Sequence, residues 1–269
     1  MSSGKPFFEA LIEEARASRE GPEIAALRRL RRELAAAGAS DVPRDLDRIA
    51  TYLGVVETRS VPLSTRGRLV AERGGLVVEL NQDDSPQLRR FTYAHELAHL
   101  VAEPRRAMQA TASTRAASER SERAYAEIEA LCNRLAGEML MPESWLSDRV
   151  SLDTPSLADA LSAAQTADVD PELVAKEAIN RGLWRALLIV WAVGPASAAP
   201  LRSCPHDDPR GAPTNAVALD DASLLNSAVA TPGTVVKGPI FFRAPEQHRL
   251  FAEAVALGSG VLSLMSLDP

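Results

Sequence analysis

Hydrophobic positions predict a mixture of helices and strands in the first part of the chain. Residues 5–38 are rich in Ala, Glu and Arg and predict one or two helices with a break near Gly21 and Pro22. Apolar residues from Leu46 to Leu53 predict a further amphipathic helix. Val55 begins an apolar segment of strand character. Residues 69–80, with Gly74 and Gly75 at their centre, predict a β-hairpin.

Two longer helices are predicted next. The first begins at Ser85 and Pro86, because serine caps a helix N-terminus and proline fits its first turn, and it runs to about Val101. The second covers residues 121–142, where apolar residues again follow the helical period. The polar, weakly patterned segment 104–121 favours a loop between them.

Beyond Pro142 the pattern becomes shorter and more varied. A helical pair is predicted at residues 156–165 and 171–180. An apolar strand is then predicted at 185–193, and the segment rich in Pro, Ala, Ser and Asp at 195–213 favours a long loop or linker. The remaining predicted elements are strands at 234–243 and 260–265 and a helix at 247–257.

The strongest chemical signal lies between Thr92 and Val101. His95 and His99 are four residues apart, so their imidazoles share one helix face. Zinc binds neutral imidazole, and a catalytic zinc site has three protein ligands and one open position. Glu96 occupies the general-base position of the H-E-x-x-H motif. The segment predicts a zinc site for peptide hydrolysis, with a structural or inactive zinc site as the alternative.

The third ligand is not supplied by the residues directly after this motif. A metzincin has Gly and His at the third and sixth positions after the second histidine, but Ala102 and Arg105 occupy these positions. His206 and His248 lie far downstream in a region of different composition. We therefore expect a carboxylate ligand from a neighbouring helix.

The helix predicted at 121–142 offers that carboxylate. Glu129 and Asn133 are one turn apart and share a face, so Glu129 is predicted to bind the metal. Asn133 is then predicted to accept the second ring N–H of a ligand histidine. Glu127 competes with Glu129 as a ligand. The two lie about 200° apart around the helix, so only one of them can face the metal.

Other candidate residues carry weaker signals. Tyr93 and Tyr125 are possible oxyanion donors, but Tyr93 precedes the first histidine and favours core packing, and neither tyrosine is assigned a role. Cys204 and His206 would supply only two ligands of a second metal site, so no such site is predicted. His248 is expected on a solvated helix.

The H-E-x-x-H motif and the Glu129–Asn133 pair together resemble the motifs of the ImmA/IrrE family of zinc metallopeptidases. The resemblance rests on residues 90–99, 129–133 and 136–142 and covers roughly residues 40–150. It implies a gluzincin-like site in which His95, His99 and Glu129 bind one zinc ion per chain and Glu96 is the catalytic base. The family often has Ala where this chain has Cys132, which suggests thiol sensitivity.

We expect an α+β protein organised in three parts. Residues 1–150 are predicted to form a helical, zincin-like metallopeptidase domain with a small β-hairpin or sheet, including the N-terminal helices. Residues 151–183 are predicted to form a helical pair that could resemble a helix-turn-helix. Residues 184–269 are predicted to form a small α+β module whose role the sequence does not identify, with regulation as one interpretation.

Composition indicates the size of the core, the partners and the compartment expected for such an enzyme. With 269 residues, of which 46% are hydrophobic, the chain can bury a substantial core. Its net charge of −6 argues against general nucleic-acid binding, so direct DNA binding is not expected. Two cysteines do not make a disulfide framework and favour the reducing cytoplasm. Neither a signal peptide nor a membrane-spanning segment is predicted.

The resemblance also implies a substrate class. Members of the family are regulatory proteases that cleave helix-turn-helix transcriptional repressors in stress responses. We therefore expect a zinc metalloendopeptidase whose partner is such a repressor. An alternative is a zinc-containing protein that sequesters a repressor or another partner without cleaving it. A third possibility, DNA binding through residues 156–181, is not favoured by the acidic residues there.

Overall fold

The computed structural model describes residues 22–102, 119–193, 198–204, 219–221, 223–242, 248–258 and 260–266. Predictions for residues 5–21, for most of the loop at 104–121, for residues 205–213 and for His206 lie outside these ranges. The protein is a mixed α+β structure that divides into two compact units. The first comprises Met1–Pro142 with Ala167–Val169, and the second comprises Glu143–Thr166 with Asp170–Pro269.

The first unit combines helices with a three-stranded sheet. Its helices are α1 (Pro22–Ala36), α2 (Leu46–Tyr52), α3 (Pro86–Ala102) and α4 (Glu119–Leu140), and its strands are β1 (Val55–Val61), β2 (Gly67–Glu72) and β3 (Gly75–Asn81). The strand order is β1-β3-β2, with β3 parallel to β1 and antiparallel to β2. The predicted hairpin is confirmed, and its register pairs Glu72 with Gly75 and Gly67 with Leu80.

Local sequence explains where α3 begins and why it is buried. The Ser85 hydroxyl accepts a hydrogen bond from the backbone N–H of Leu88 at 3.2 Å, which confirms the predicted cap. Ala94, Leu97 and Ala98 are completely buried. The helix packs on strands β2 and β3 and on helix α4. This packing fixes the orientation of the motif helix.

Buried polar side chains join the helices of the first unit. Arg44 donates hydrogen bonds to the backbone oxygens of Glu138 and Met139, at 3.0 and 2.9 Å. The Tyr93 hydroxyl donates to Asp47 at 2.9 Å and accepts from Thr58 at 2.8 Å. Tyr93 is therefore used in packing between α2, β1 and α3, as the sequence favoured.

The second unit contains a larger sheet. Its helices are α5 (Glu143–Ser147), α6 (Leu157–Ala167), α7 (Pro171–Asn180) and α8 (Ser223–Ala230), and the last residue of α6 belongs to the first unit. Its strands are β4 (Ala186–Val193), β5 (Ala198–Cys204), β6 (Leu219–Asp221), β7 (Val236–Phe242), β8 (His248–Leu257) and β9 (Gly260–Ser266). The strand order is β5-β4-β9-β8-β7-β6, and each neighbouring pair is antiparallel. The predicted helical pair is confirmed as α6 and α7.

Five elements of the second unit differ from the sequence predictions. The helix predicted at 247–257 is wrong, because these residues form strand β8 between β7 and β9. Alternating Ala252 and Ala254 pack in a core that includes Leu225 of α8, so pairing and burial override the helix propensity of alanine. Strand β5 lies within the predicted linker, and helices α5 and α8 and strand β6 were not predicted. Among the described residues, no helix has the length and apolar character needed to cross a membrane.

Candidate metal centre

Helices α3 and α4 bring together three side chains that could hold a metal ion. His95 and His99 project from α3 and Glu129 projects from α4, and one candidate ligand atom of each lies within 4.8 Å of the other two. The distance from His95 Nε2 to Glu129 Oε2 is 3.2 Å, and that from His99 Nε2 to Glu129 Oε1 is 3.5 Å. The two histidine Nε2 atoms are 3.1 Å apart.

This donor set fits a zinc ion. Zinc lies about 2.0–2.2 Å from its nitrogen and oxygen ligands. In a tetrahedral site this separates the ligand atoms from one another by about 3.3–3.6 Å, which is close to the three distances observed. The facing atoms are also electron-rich, since two imidazole nitrogens meet a carboxylate. Such an arrangement is favourable when a cation lies between them.

Each histidine is held through its other ring nitrogen by α4. The Asn133 Oδ1 atom lies 2.9 Å from Nδ1 of His95, so it can accept the Nδ1–H and leave Nε2 unprotonated. The Cys132 sulfur lies 3.3 Å from Nδ1 of His99 and can act in the same way. Two consecutive residues of α4 thus orient both imidazoles toward Glu129.

The environment keeps His99 neutral. Burial and, to a smaller extent, the nearby His95 together lower the pKa of His99 to about 4, while Glu129 acts in the opposite direction. At neutral pH the His99 imidazole is therefore uncharged, which is the form that binds a metal.

Glu96 lies beside this group with a different electrostatic character. Its side chain is buried, and burial followed by the proximity of Glu129 raises the pKa of Glu96 to about 7. A carboxyl group with this pKa can both accept and release a proton near neutral pH. Glu96 does not belong to the three-residue group, so its carboxylate is available for proton transfer.

Gly67 is a residue at this site that the sequence reasoning did not identify. A Cβ atom at Gly67 would lie 2.5 Å from Cγ2 of Thr92 and 3.4 Å from Oε1 of Glu96. The absence of a side chain therefore allows β2 to approach α3 beside Glu96. A glycine at the start of a hairpin strand was the available signal for such a close approach.

The other candidate residues lie in different positions. Glu127 is exposed and is not one of the three converging side chains. Tyr125 is also exposed, and partial burial, followed by the neighbouring Glu129 carboxylate, raises the pKa of its hydroxyl. Cys204 ends strand β5, and His248 begins strand β8 rather than lying on a helix.

Comparison with known proteins agrees with this geometry. Residues 44–177 match the Peptidase M78 family, described as the IrrE N-terminal-like domain. No curated protein matches the chain. A solved structure described as a Mycobacterium tuberculosis transcriptional regulator is similar in fold over 98% of this chain and 81% of its own chain, with 15% identity and a TM-score of 0.54. The match over residues 44–177 shows that this chain belongs to the ImmA/IrrE family of metallopeptidases.

Proposed function

We propose that the protein is a zinc-dependent regulatory endopeptidase with one zinc ion per chain. The observation that carries this proposal is the convergence of His95, His99 and Glu129 beside the buried carboxyl of Glu96. Zinc bound by the three residues would supply Lewis acidity toward the scissile carbonyl and the attacking water.

Glu96 is the residue that we propose moves the proton. As the carboxylate, it accepts a proton from water while the water oxygen forms a bond to the scissile carbonyl carbon. The same carboxyl then donates that proton to the amide nitrogen as the carbon–nitrogen bond breaks. The products are a carboxylic acid and an amine, and Glu96 returns to its starting state.

Strand β2 offers a binding edge for an extended substrate. In the described sheet it has a partner on one side only, which is β3. The backbone N–H of Asn81 donates to the Arg66 oxygen at 2.8 Å, so in this antiparallel register the backbone groups of Gly67, Leu69 and Ala71 point away from β3. We propose that an extended peptide pairs with these groups, with its backbone near Glu96 at the Gly67 end.

The family resemblance supports a helix-turn-helix transcriptional repressor as the substrate. A decisive experiment incubates the zinc-loaded protein with the repressor encoded beside its gene and follows the repressor by mass spectrometry. We expect two fragments with wild type and none with Glu96→Gln, although both proteins should contain one zinc per chain. Cleavage by the variant would contradict the role of Glu96. A stable, uncleaved complex with wild type would favour the sequestering function instead.

A further inference from the structure

We propose that Arg68 is a specificity-determining residue that selects an acidic side chain in the substrate. This inference rests on the proposed peptide-binding edge of β2 and adds a charge requirement to it. Arg68 follows Gly67 in β2 and pairs directly with Glu79 of β3. A Cβ atom at Gly67 would point toward Thr92 of α3. Because successive strand residues point to opposite faces, the Arg68 side chain lies on the face away from α3.

A buried carboxylate holds Arg68 through one nitrogen only. The Nε atom of Arg68 donates a hydrogen bond to Oε2 of Glu79 at 2.6 Å, and Oε1 of Glu79 lies 3.3 Å from Nε of Arg59 on β1. The side chain of Glu79 is 10% exposed, whereas that of Arg68 is 58% exposed. Among the described residues, neither terminal nitrogen of Arg68 has a partner. Arg68 is therefore fixed at Nε while its outer donors are open to a second carboxylate.

These donors lie beside the path of the proposed substrate. A peptide that pairs with the free backbone groups of Gly67 and Leu69 has one residue level with Arg68, and its side chain points to the same face of the sheet. In antiparallel pairing the Cβ atoms of such a pair are about 4.5–5.5 Å apart. A substrate carboxylate at this distance can accept hydrogen bonds from the terminal nitrogens of Arg68.

A second arginine adds positive charge at the same place. The backbone oxygen of Arg66 accepts a hydrogen bond from Asn81 N–H at 2.8 Å, so the strand pairing continues to this residue. Arg66 is exposed and lies two positions before Arg68, which places it on the same face. The pair flanks Gly67, the residue closest to Glu96 on this strand. The preferred acidic residue should therefore lie within about two positions of the cleaved bond.

The test uses the repressor encoded beside the gene, after wild type has defined its cleavage site. Each residue within about two positions of the cleaved bond is changed in turn to Glu, Gln and Lys, and kcat/KM is measured with the full-length, zinc-loaded protein. Wild type should prefer Glu to Gln by about two- to fivefold at one position, the size of an opposite-charge cross-strand pair. The preference should decrease as the salt concentration rises, because exposed charges are screened.

Arg59→Gln is the matched control for Arg68→Gln. Each variant removes one partner of Glu79, but Arg59 lies on β1 at the opposite edge of the sheet. We expect Arg68→Gln to lower the ratio of kcat/KM for the Glu and Gln substrates to about one, and Arg68→Glu to favour Lys. Arg59→Gln should keep the wild-type ratio.

Two results would overturn the inference while leaving the proposed cleavage intact. One is cleavage by wild type with no charge preference at any position, and the other is an equal loss of the preference in Arg68→Gln and Arg59→Gln. Failure of wild type to cleave any of these substrates would overturn both proposals.

Discussion

The amide oxygen of Asn133 lies 2.9 Å from Nδ1 of His95, across the contact between α3 and α4. This hydrogen bond selects the imidazole tautomer whose Nε2 faces His99 and Glu129. The H-E-x-x-H motif and the Glu129–Asn133 pair are therefore joined by a direct contact. Helix α4 contributes both the candidate ligand Glu129 and the group that orients His95.

Replacing Asn133 should weaken metal binding without removing a ligand. We expect Asn133→Ala to lower zinc affinity by about 10- to 100-fold, because His95 loses the acceptor that fixes its tautomer. Chelator competition measures the change. Asn133→Asp keeps an acceptor at this position and should retain more affinity than the alanine variant. Equal losses in the two variants would contradict the hydrogen-bond argument.

Glu129 and Glu127 provide a matched pair for identifying the third ligand. Glu129 is within 3.5 Å of both histidine Nε2 atoms, whereas Glu127 is exposed and is not among the converging side chains. We expect Glu129→Ala to lose most bound zinc after dialysis and Glu127→Ala to keep one equivalent. Metal content is measured by atomic emission. Retention of zinc by Glu129→Ala would show that the third ligand is a different residue.

The buried carboxyl of Glu96 should make the metal-free protein less stable as the pH rises. Its pKa is about 7 in the folded protein and near 4.5 when unfolded, so the folded state holds this proton more tightly between these values. The destabilisation is absent below about pH 4.5 and reaches its full size, at most about 3 kcal/mol, above pH 7.

Glu96→Gln removes this titration. In the presence of a chelator, its unfolding free energy should exceed that of wild type at pH 8, and the difference should shrink toward zero at pH 4.5. Urea unfolding at both pH values measures this difference. A difference that does not change with pH would contradict the raised pKa of Glu96.

A side chain at Gly67 should disturb the contact between β2 and α3. The added methyl of Gly67→Ala would lie 2.5 Å from Cγ2 of the buried Thr92, and overpacking of this kind costs about 1–3 kcal/mol. We expect a lower melting temperature and reduced cleavage. Thr92→Ser removes Cγ2 and should restore part of the stability in the double variant.

Gly74 supplies the control for this substitution. It belongs to the same hairpin, but no atom lies within 4 Å of a Cβ built there. Gly74→Ala should therefore leave both melting temperature and cleavage near wild type. An equal effect of the two alanine substitutions would show that loss of glycine flexibility, rather than the contact with Thr92, is responsible.

The sequence alone determined the features that depend on nearby residues. The spacing of His95 and His99 places both on one face of any helix, and Ser85 marks where that helix begins. Gly74 and Gly75 mark the hairpin turn, and the apolar period predicts α4 with Glu129 and Asn133 on a common face. Helix period, capping and turn chemistry act over a few residues, so they are visible without the fold.

The features that depend on contacts between residues far apart in the sequence follow from the tertiary structure. Only the packing of α3 against α4 brings Glu129 to the histidines and the Cys132 sulfur to His99, and only the sheet brings Gly67 to Glu96. The same reason explains the wrong helix at 247–257, because neighbouring strands and burial outweigh the propensity of its alanines. Residues far apart in sequence meet through burial and strand pairing, and the local periodicity of the sequence does not identify those partners.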